Sequence, residues 1–220
     1  MQASLELYTN SMSPFTQRVE LQLEMKGVEF ARTFPQRDYV RQGEFGAISP
    51  IRKIPVLVVG GVPIAETQVI CELIEDIHPQ PSLLPDGALD RARARLLARI
   101  IEIYVAGPLV LLLNNLWDKR SEDIAAYATS TAERGLISLE HWIAPGPYAA
   151  AGKRTIADCA IPPALFFLQT ILPALGIERV PDIGPNTARY FEAIQKDRDV
   201  SHCLTRMESG LRDRLAKARA

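Results

Sequence analysis

Two serines and a proline occupy the junction between a short apolar strand pattern and a helix pattern, in the stretch SMSPFTQRV at residues 11–19. Ser13-Pro14 is typical of a helix start, because serine is a favoured N-cap and proline suits the first helical position. A hydroxyl at the positive end of a helix can also stabilise a bound anion. These residues alone favour the capping interpretation and leave the second one open.

A second group of residues with possible chemistry flanks a predicted β-hairpin. Pro55 begins the strand in KIPVLVV, and the local sequence is compatible with either a cis or a trans Ile54–Pro55 bond. A cis bond would turn the N–H and C=O of Ile54 outward, toward a peptide-like ligand that pairs by strand addition. Glu66 and Thr67 open the helix after the hairpin, where both residue types are favourable without any ligand.

Two further patterns are interpreted as structural. TIAD at residues 155–158 has the spacing of a capping box, in which Thr155 and Asp158 satisfy unpaired backbone donors of the same turn. The cysteines and histidines are scattered, so we expect no metal site and no disulfide framework, and a reducing compartment fits best. These residues are Cys71, Cys159, Cys203, His78, His141 and His202.

The elements that must position these residues fall into two groups. In the first 80 residues, the pattern of apolar residues and turn signals predicts a strand at 5–8 followed by a helix from Ser13 to Gly27. It also predicts strands at 28–34, 54–59 and 62–65 and a helix ending at His78. This order predicts a parallel strand pair extended by an antiparallel hairpin, with helices on the faces of the sheet.

Beyond a proline-rich linker, PQPSLLPDG at residues 79–87, only helical patterns follow. They cover residues 91–117 with a bend at Gly107-Pro108, 121–143, a helix from 155, 187–196 and 200–217. We therefore divide the chain into an α/β domain at 1–80, a linker at 81–88 and an all-α domain at 89–220.

Composition excludes several classes of function. Among 220 residues, 47% are hydrophobic and the formal net charge is −1, so nothing favours a nucleic-acid partner, which needs a basic face. No basic segment followed by an apolar core marks a signal peptide, and the apolar run Ile103–Leu113 is short of the ~20 residues that cross a bilayer. We expect a cytoplasmic protein without a membrane partner.

Four motifs in order resemble the cytosolic glutathione transferases over nearly the whole chain: SMSPFTQRV, KIPVLVVGG, AETQVICELIEDIHP and the TIAD box. The resemblance implies an α/β thioredoxin-like N-terminal domain plus an all-α C-terminal helical domain, glutathione as co-substrate, and a homodimer. Glu66-Thr67 stands where the family usually has Glu-Ser, and keeps a hydroxyl. GPLVLLLNNL is similar to zeta-like members and SPFTQR to the omega-like pattern CPFxxR, so the class stays open.

The resemblance also implies roles for individual residues. Ser13 corresponds to the catalytic hydroxyl that donates to the glutathione sulfur. Ile54 would pair through its backbone with the cysteinyl unit, and Lys53 would meet the glycyl carboxylate, although it could equally be a surface charge. Glu66 and Thr67 would bind the γ-glutamyl end.

One hydroxyl is sufficient for this chemistry. Lowering a thiol pKa from ~8.5 by about two units requires ~2.7 kcal/mol. A hydrogen bond to a charged acceptor supplies ~1.5–3 kcal/mol and a helix N-terminus ~0.3–1 more, so no general base and no metal are needed. Ser11 and Tyr8 are the alternative hydroxyls. Because residue 13 is not cysteine, thiol–disulfide exchange is not expected.

The electrophile is expected in a cleft between the two domains. Its predicted lining is Met12, Phe15, Tyr104, Leu111, Asn114 and Trp117, although such side chains are often core or dimer contacts. The first functional hypothesis is an enzyme that delivers the glutathione thiolate to a small hydrophobic electrophile by conjugation, dehalogenation or isomerisation. The alternative is a non-enzymatic interaction or regulatory module with the same fold.

Overall fold

The computed structural model describes residues 4–118, 121–177 and 179–219. The N-terminal elements are β1 (Leu5–Tyr8), α1 (Pro14–Met25), β2 (Ala31–Thr33), α2 (Arg37–Gln42), α3 (Phe45–Ile48), β3 (Val56–Val59), β4 (Val62–Ala65) and α4 (Thr67–Ile77). The helices that follow are α5 (Ala88–Ile100), α6 (Gly107–Trp117), α7 (Glu122–Trp142), α8 (Ile156–Phe166), α9 (Leu172–Ala174), α10 (Pro185–Ile194) and α11 (Arg198–Arg219). The predicted fold class is confirmed, whereas the domain limits at 80 and 89 stay a prediction.

The sheet brings three chain segments to one end. Its strand order is β2-β1-β3-β4, with β1 parallel to β2, and with β3 antiparallel to both β1 and β4. In this register Tyr8 lies opposite Val56, and Val56 lies opposite Ala65. The residues after β1, before β3 and after β4 therefore leave the sheet at the same end.

The segment between β1 and β3 differs most from the sequence prediction. β2 covers three residues instead of 28–34, and β3 begins at Val56 instead of Ile54. Helices α2 and α3 were not predicted. Both are short, and α2 is largely exposed, so it lacks the apolar stripe from which a helix is recognised.

The helix type changes at the place where a bend in the long helix was predicted. α5 and α6 are joined by a π-helical segment, Ile101–Ala106, which ends at Gly107-Pro108. The Gly107 N–H donates to the carbonyl of Glu102, five residues earlier, and Pro108 has no N–H to donate. The proline therefore interrupts the α-type hydrogen bonding at the predicted place.

Two helical stretches are long and apolar enough to cross a membrane, Ala88–Trp117 and Ile156–Ala174. Within the fold, 56% and 78% of their most apolar windows are buried against other parts of the protein. α8 packs against α1, α5 and α11, which is typical of a core helix.

The linker is attached to both parts of the molecule. The Lys26 ammonium on the buried C-cap of α1 donates to Glu75 (2.9 Å) and to the carbonyl of Pro81 (2.7 Å). The second oxygen of Glu75 accepts from the Leu83 N–H (3.2 Å), and the Leu83 carbonyl accepts from the Ile156 N–H (3.0 Å). These bonds fix how α8 sits against the N-terminal domain.

Candidate functional site

The turn between β1 and α1 is held by its own polar groups. The Ser13 N–H donates to the Asn10 carbonyl (3.1 Å), and the Asn10 side-chain oxygen accepts from the Met12 N–H (2.9 Å). The Thr16 hydroxyl donates to the same Asn10 carbonyl at 2.7 Å. Asn10 and Thr16 thus hold the turn at both ends, so its geometry does not depend on the Ser13 side chain.

Ser13 is the N-cap of α1, and Pro14 is the first residue of that helix, as predicted. Its hydroxyl oxygen accepts from the Thr16 N–H at 3.5 Å, which is longer than an ordinary N–H···O bond of about 2.7–3.2 Å. A serine hydroxyl accepts through its lone pairs and donates through its proton, so capping does not prevent donation to a bound anion. The two interpretations of this serine are therefore compatible.

The two alternative hydroxyls have different surroundings. Ser11 packs closely against Gly210 of α11. A Cβ added to Gly210 would lie 2.7 Å from the Cβ of Ser11. Tyr8 packs edge-on against Phe45, with 5.5 Å between ring centroids. Burial, together with the nearby Glu6 carboxylate, raises the pKa of Tyr8, so its phenol is held in the neutral form.

Ile54 presents its backbone at the start of β3. The Ile54–Pro55 bond is cis, which decides the alternative that the sequence left open. The ladder between β1 and β3 begins at Val56, and within the described ranges neither backbone group of Ile54 has a backbone hydrogen-bond partner. Its N–H and C=O are therefore available to a peptide-like ligand.

The start of α4 combines backbone strain with a positive helix end. Glu66, the N-cap, is exposed and has φ +69° and ψ 118°, a conformation that costs a non-glycine residue about 1–3 kcal/mol. Thr67, the first helical residue, is buried, with 4% of its surface exposed. Strain of this kind is concentrated at ligand sites, and a helix N-terminus attracts carboxylates.

The sheet register brings these groups together. Ser13 follows β1, Ile54 precedes β3, and Glu66 follows β4, so all three lie at the end of the sheet where those strands are aligned. Lys53 is exposed beside Ile54, and Thr67 lies beside Glu66. The five residues predicted to bind and activate glutathione are thus located at one edge of the N-terminal domain.

The predicted electrophile-binding residues divide into three groups. Four are half-buried and pack against the larger hydrophobic core: Met12, Phe15, Leu111 and Trp117. Asn114 accepts a long hydrogen bond from Arg41 of α2 (3.4 Å). Tyr104 is 47% exposed, and its Cβ and carbonyl pack against Gly135 of α7.

Arginines that were not predicted from the sequence lie around Trp117 and the adjacent Asp118. The Arg37 and Arg214 guanidinium carbons lie 4.9 and 5.5 Å from centroids of the Trp117 ring system, and Arg37 and Arg41 lie 3.5 Å from the Asp118 carboxylate. Arg37 and Arg41 belong to α2, which has no helical pattern in the sequence. The end of α6 at Trp117 is therefore lined by an aromatic ring and by cationic side chains.

The thiols of the protein are poor candidates for the nucleophile. All three cysteines are buried, and burial raises the pKa of Cys71 to about 11 and that of Cys203 to about 12. Burial also raises the pKa of Cys159 well above its usual value. Among the residues that the structure describes, no group of three or more His, Cys, Asp or Glu side chains could hold a metal ion.

Comparisons with known proteins find relatives that match most of the chain. Residues 12–77 match the family described as glutathione S-transferase, N-terminal domain. A probable glutathione S-transferase of Nicotiana tabacum is 38% identical over 179 residues, which cover 81% of this chain and 78% of that protein. A probable maleylacetoacetate isomerase of Caenorhabditis elegans is 29% identical over 164 residues, 73% of this chain and 77% of the relative.

A solved structure is similar over almost the full chain. It is a maleylacetoacetate isomerase from Anaeromyxobacter dehalogenans, crystallised with GSH bound in its active site. The TM-score is 0.70 at 27% sequence identity, and the alignment covers 92% of this chain and 96% of that one. The likeness extends from the sheet through the helical part.

Proposed function

Because this chain belongs to the glutathione S-transferase family, we propose that it stabilises the thiolate of glutathione with the Ser13 hydroxyl and delivers it to a small hydrophobic electrophile. The observation that carries the proposal is the placement of Ser13 at the N-terminus of α1, at the same sheet end as the Ile54 backbone and the start of α4. One bound tripeptide can then contact the Ser13 hydroxyl, the backbone of Ile54 and the N-terminus of α4.

Glutathione is held by groups that match its parts. The Ile54 N–H and C=O pair with the cysteinyl unit as an added strand would. The Glu66 carboxylate meets the α-ammonium of the γ-glutamyl end, and the Thr67 hydroxyl and the amides of the first turn of α4 meet its α-carboxylate. Lys53 meets the glycyl carboxylate. In this proposed arrangement the sulfur lies at the Ser13 hydroxyl.

Activation of the thiol follows from the charge of its anion. The Ser13 O–H donates to the thiolate and the helix end adds its positive potential, which together supply the ~2.7 kcal/mol that two pKa units require. The thiol proton passes to water. The thiolate then forms a bond to carbon, and addition, displacement of a halide, and isomerisation by reversible addition all begin with this step.

The remaining features of the proposal concern the second substrate and the assembly. The electrophile is placed between the turn at Met12 and Phe15 and the α6 residues Leu111, Asn114 and Trp117, with Tyr104 contributing from the π-helical segment. We also propose a homodimer, as the family usually forms, and a cytoplasmic location. A non-enzymatic interaction module is the alternative, and it predicts weak or absent glutathione binding.

Glutathione binding separates these two functions directly. We expect the protein to be retained on immobilised glutathione and to be stabilised by the free tripeptide, by about 2.7 kcal/mol at a concentration 100 times its Kd. Thermal unfolding with increasing glutathione measures this, with S-methylglutathione as a control for binding without a thiol. Absence of both retention and stabilisation would favour the interaction module. Conjugation, dehalogenation and isomerisation substrates then identify the reaction.

Glu66→Gln tests the γ-glutamyl end of the site. Glutamine keeps the size of the side chain but loses the charge that pairs with the α-ammonium, and hydrogen bonds to charged groups are worth about 1.5–3 kcal/mol. We therefore expect a roughly 10- to 100-fold rise in the Kd for glutathione, measured by calorimetry. Glu29→Gln, at an exposed carboxylate outside the site, is the matched control. Equal affinities of the two variants would contradict the assignment of Glu66.

A further inference from the structure

Gly210 lies in the interior of α11 and touches the turn that precedes α1. A Cβ built on it would lie 2.7 Å from the Ser11 Cβ and 3.4 Å from the Met12 Cγ. Its backbone is not in the left-handed region, so the contact, and not the conformation, requires a glycine here. Glycine is a poor helix former, and its presence in a long helix therefore needs a packing reason.

One turn before Gly210, Arg206 binds the side of α1. Its guanidinium donates to both oxygens of Glu24 (2.8 and 3.2 Å) and to the Gln17 side-chain oxygen (2.9 Å). It also lies 3.2 Å from a carboxylate oxygen of Glu20, whose side chain is fully buried. α11 is thus bonded to the same helix whose N-terminus carries Ser13.

One turn after Gly210, the Arg214 guanidinium carbon lies 5.5 Å from a ring centroid of Trp117 at the end of α6. Residues four apart lie on one face of a helix. Arg206, Gly210 and Arg214 therefore form a single face of α11, which contacts α1, the turn and Trp117. We call these three residues the α11 face.

We propose that Gly210 is a positioning residue for Ser13: its close approach to Ser11 and Met12 sets the position of their turn and so the orientation of the Ser13 hydroxyl. The proposal rests on the proposed function of Ser13. Ser11 and Met12 are the central residues of a turn closed by the Ser13 N–H and the Asn10 carbonyl, so displacing them displaces Ser13. A hydrogen bond to a thiolate weakens when its donor is displaced or misaligned.

The test is Gly210→Ala, which adds one methyl group against the turn. We expect the thiol pKa of bound glutathione to rise and kcat at neutral pH to fall about 10- to 100-fold, because misplacing a catalytic group such as the Ser13 hydroxyl by about 1 Å has effects of this size. The KM for glutathione should change less than twofold, since Ile54, Glu66 and Thr67 are untouched. Alanine is the better helix former, so the midpoint of thermal unfolding should not fall in proportion to the loss of activity.

Ser209→Ala is the matched control, because it introduces an alanine at the neighbouring, exposed position of α11. In this variant, the thiol pKa of bound glutathione and kcat should equal those of the wild type. The Ser11→Gly/Gly210→Ala double variant lacks the Cβ that the new methyl group would strike. Relative to Ser11→Gly alone, the second substitution should therefore change kcat less than threefold.

Three results would overturn the inference. In the first, the thiol of glutathione bound to Gly210→Ala has the same pKa as in the wild-type protein. In the second, Gly210→Ala lowers kcat equally with and without Ser11→Gly. In the third, Gly210→Ala does not fold, which would make the contact purely structural. Failure of the proposed function looks different. In that case the wild-type protein itself would bind glutathione without lowering its thiol pKa, or would not bind it.

Discussion

Ser13→Ala should raise the pKa of the thiol of bound glutathione by about one to two units while leaving the fold intact. The variant loses the only donor that the proposal assigns to the thiolate, whereas the helix end and the tripeptide contacts at Ile54 and Glu66 remain. Glutathione should therefore still bind. The ultraviolet absorbance of the thiolate, followed against pH in the enzyme–glutathione complex, measures the change directly.

The same variant has a characteristic pH profile. At pH values below both thiol pKa values, conjugation by Ser13→Ala should be about 10- to 100-fold slower, since each pKa unit reduces the thiolate fraction tenfold. As the pH rises above the higher pKa, the thiol is ionised in both proteins and the difference should shrink. Ser11→Ala is the control. If Ser11→Ala alone loses the low pKa, the assignment of Ser13 is wrong.

The structural cost of Ser13→Ala should be small. Loss of an N-cap typically costs about 0.5–2 kcal/mol. Here the cap bond to Thr16 is long, at 3.5 Å, and the turn is held independently by the Asn10 carbonyl and side chain. The free energy of unfolding of the variant, measured with urea, checks that any loss of activity does not result from unfolding.

Asp158→Ala should cause the largest loss of stability, about 3 kcal/mol or more. The Asp158 carboxylate is buried and accepts four hydrogen bonds. They come from the N–H groups of Ala149 and Thr155 (2.8 Å each), the Thr155 hydroxyl (3.0 Å) and the Tyr190 hydroxyl (3.0 Å). Alanine leaves these buried donors without an acceptor, and each orphaned group costs about 1–3 kcal/mol.

Urea unfolding measures this loss, with Asp123→Ala as the matched control. Asp123 is also an acidic residue in the first turn of a helix, but it is exposed, so its replacement should cost only about 0.3–1 kcal/mol. Asp158→Asn should be intermediate, because the amide keeps one of the two acceptor oxygens. Similar unfolding free energies for Asp158→Ala and Asp123→Ala would contradict the structural role of the capping box.

Asp158 also predicts a pH dependence of stability. Burial, only partly offset by the four hydrogen bonds, raises its pKa from 3.8 to about 6. Between these values the folded protein holds a proton that the unfolded chain has lost, so this group's contribution to stability should decrease as the pH rises from about 4 to 6. Above pH 6 the contribution is constant. In Asp158→Asn this part of the pH dependence should disappear.

The starts of the main helices could be predicted from the sequence because their causes are local. Ser13-Pro14 caps α1, Ser121 caps α7, and Thr155 with Asp158 forms the capping box of α8, as their residue types and spacing indicate. Short exposed elements were predicted less well. The strand expected at 28–34 is present as β2, but over three residues only. α2 buries too little apolar surface to leave a periodic pattern, so Arg37 and Arg41, which it brings to Trp117 and Asp118, were missed.

The sequence by itself determined the fold class, the family and the residue types of the candidate site, because caps, turns and motif order depend on neighbouring residues. Only the tertiary structure decided which of these residues meet. The sheet register aligns the ends of β1, β3 and β4, and α11 brings Gly210 against Ser11, about 200 positions earlier in the chain. Such contacts arise from the packing of distant elements, whose geometry no local pattern of side chains encodes.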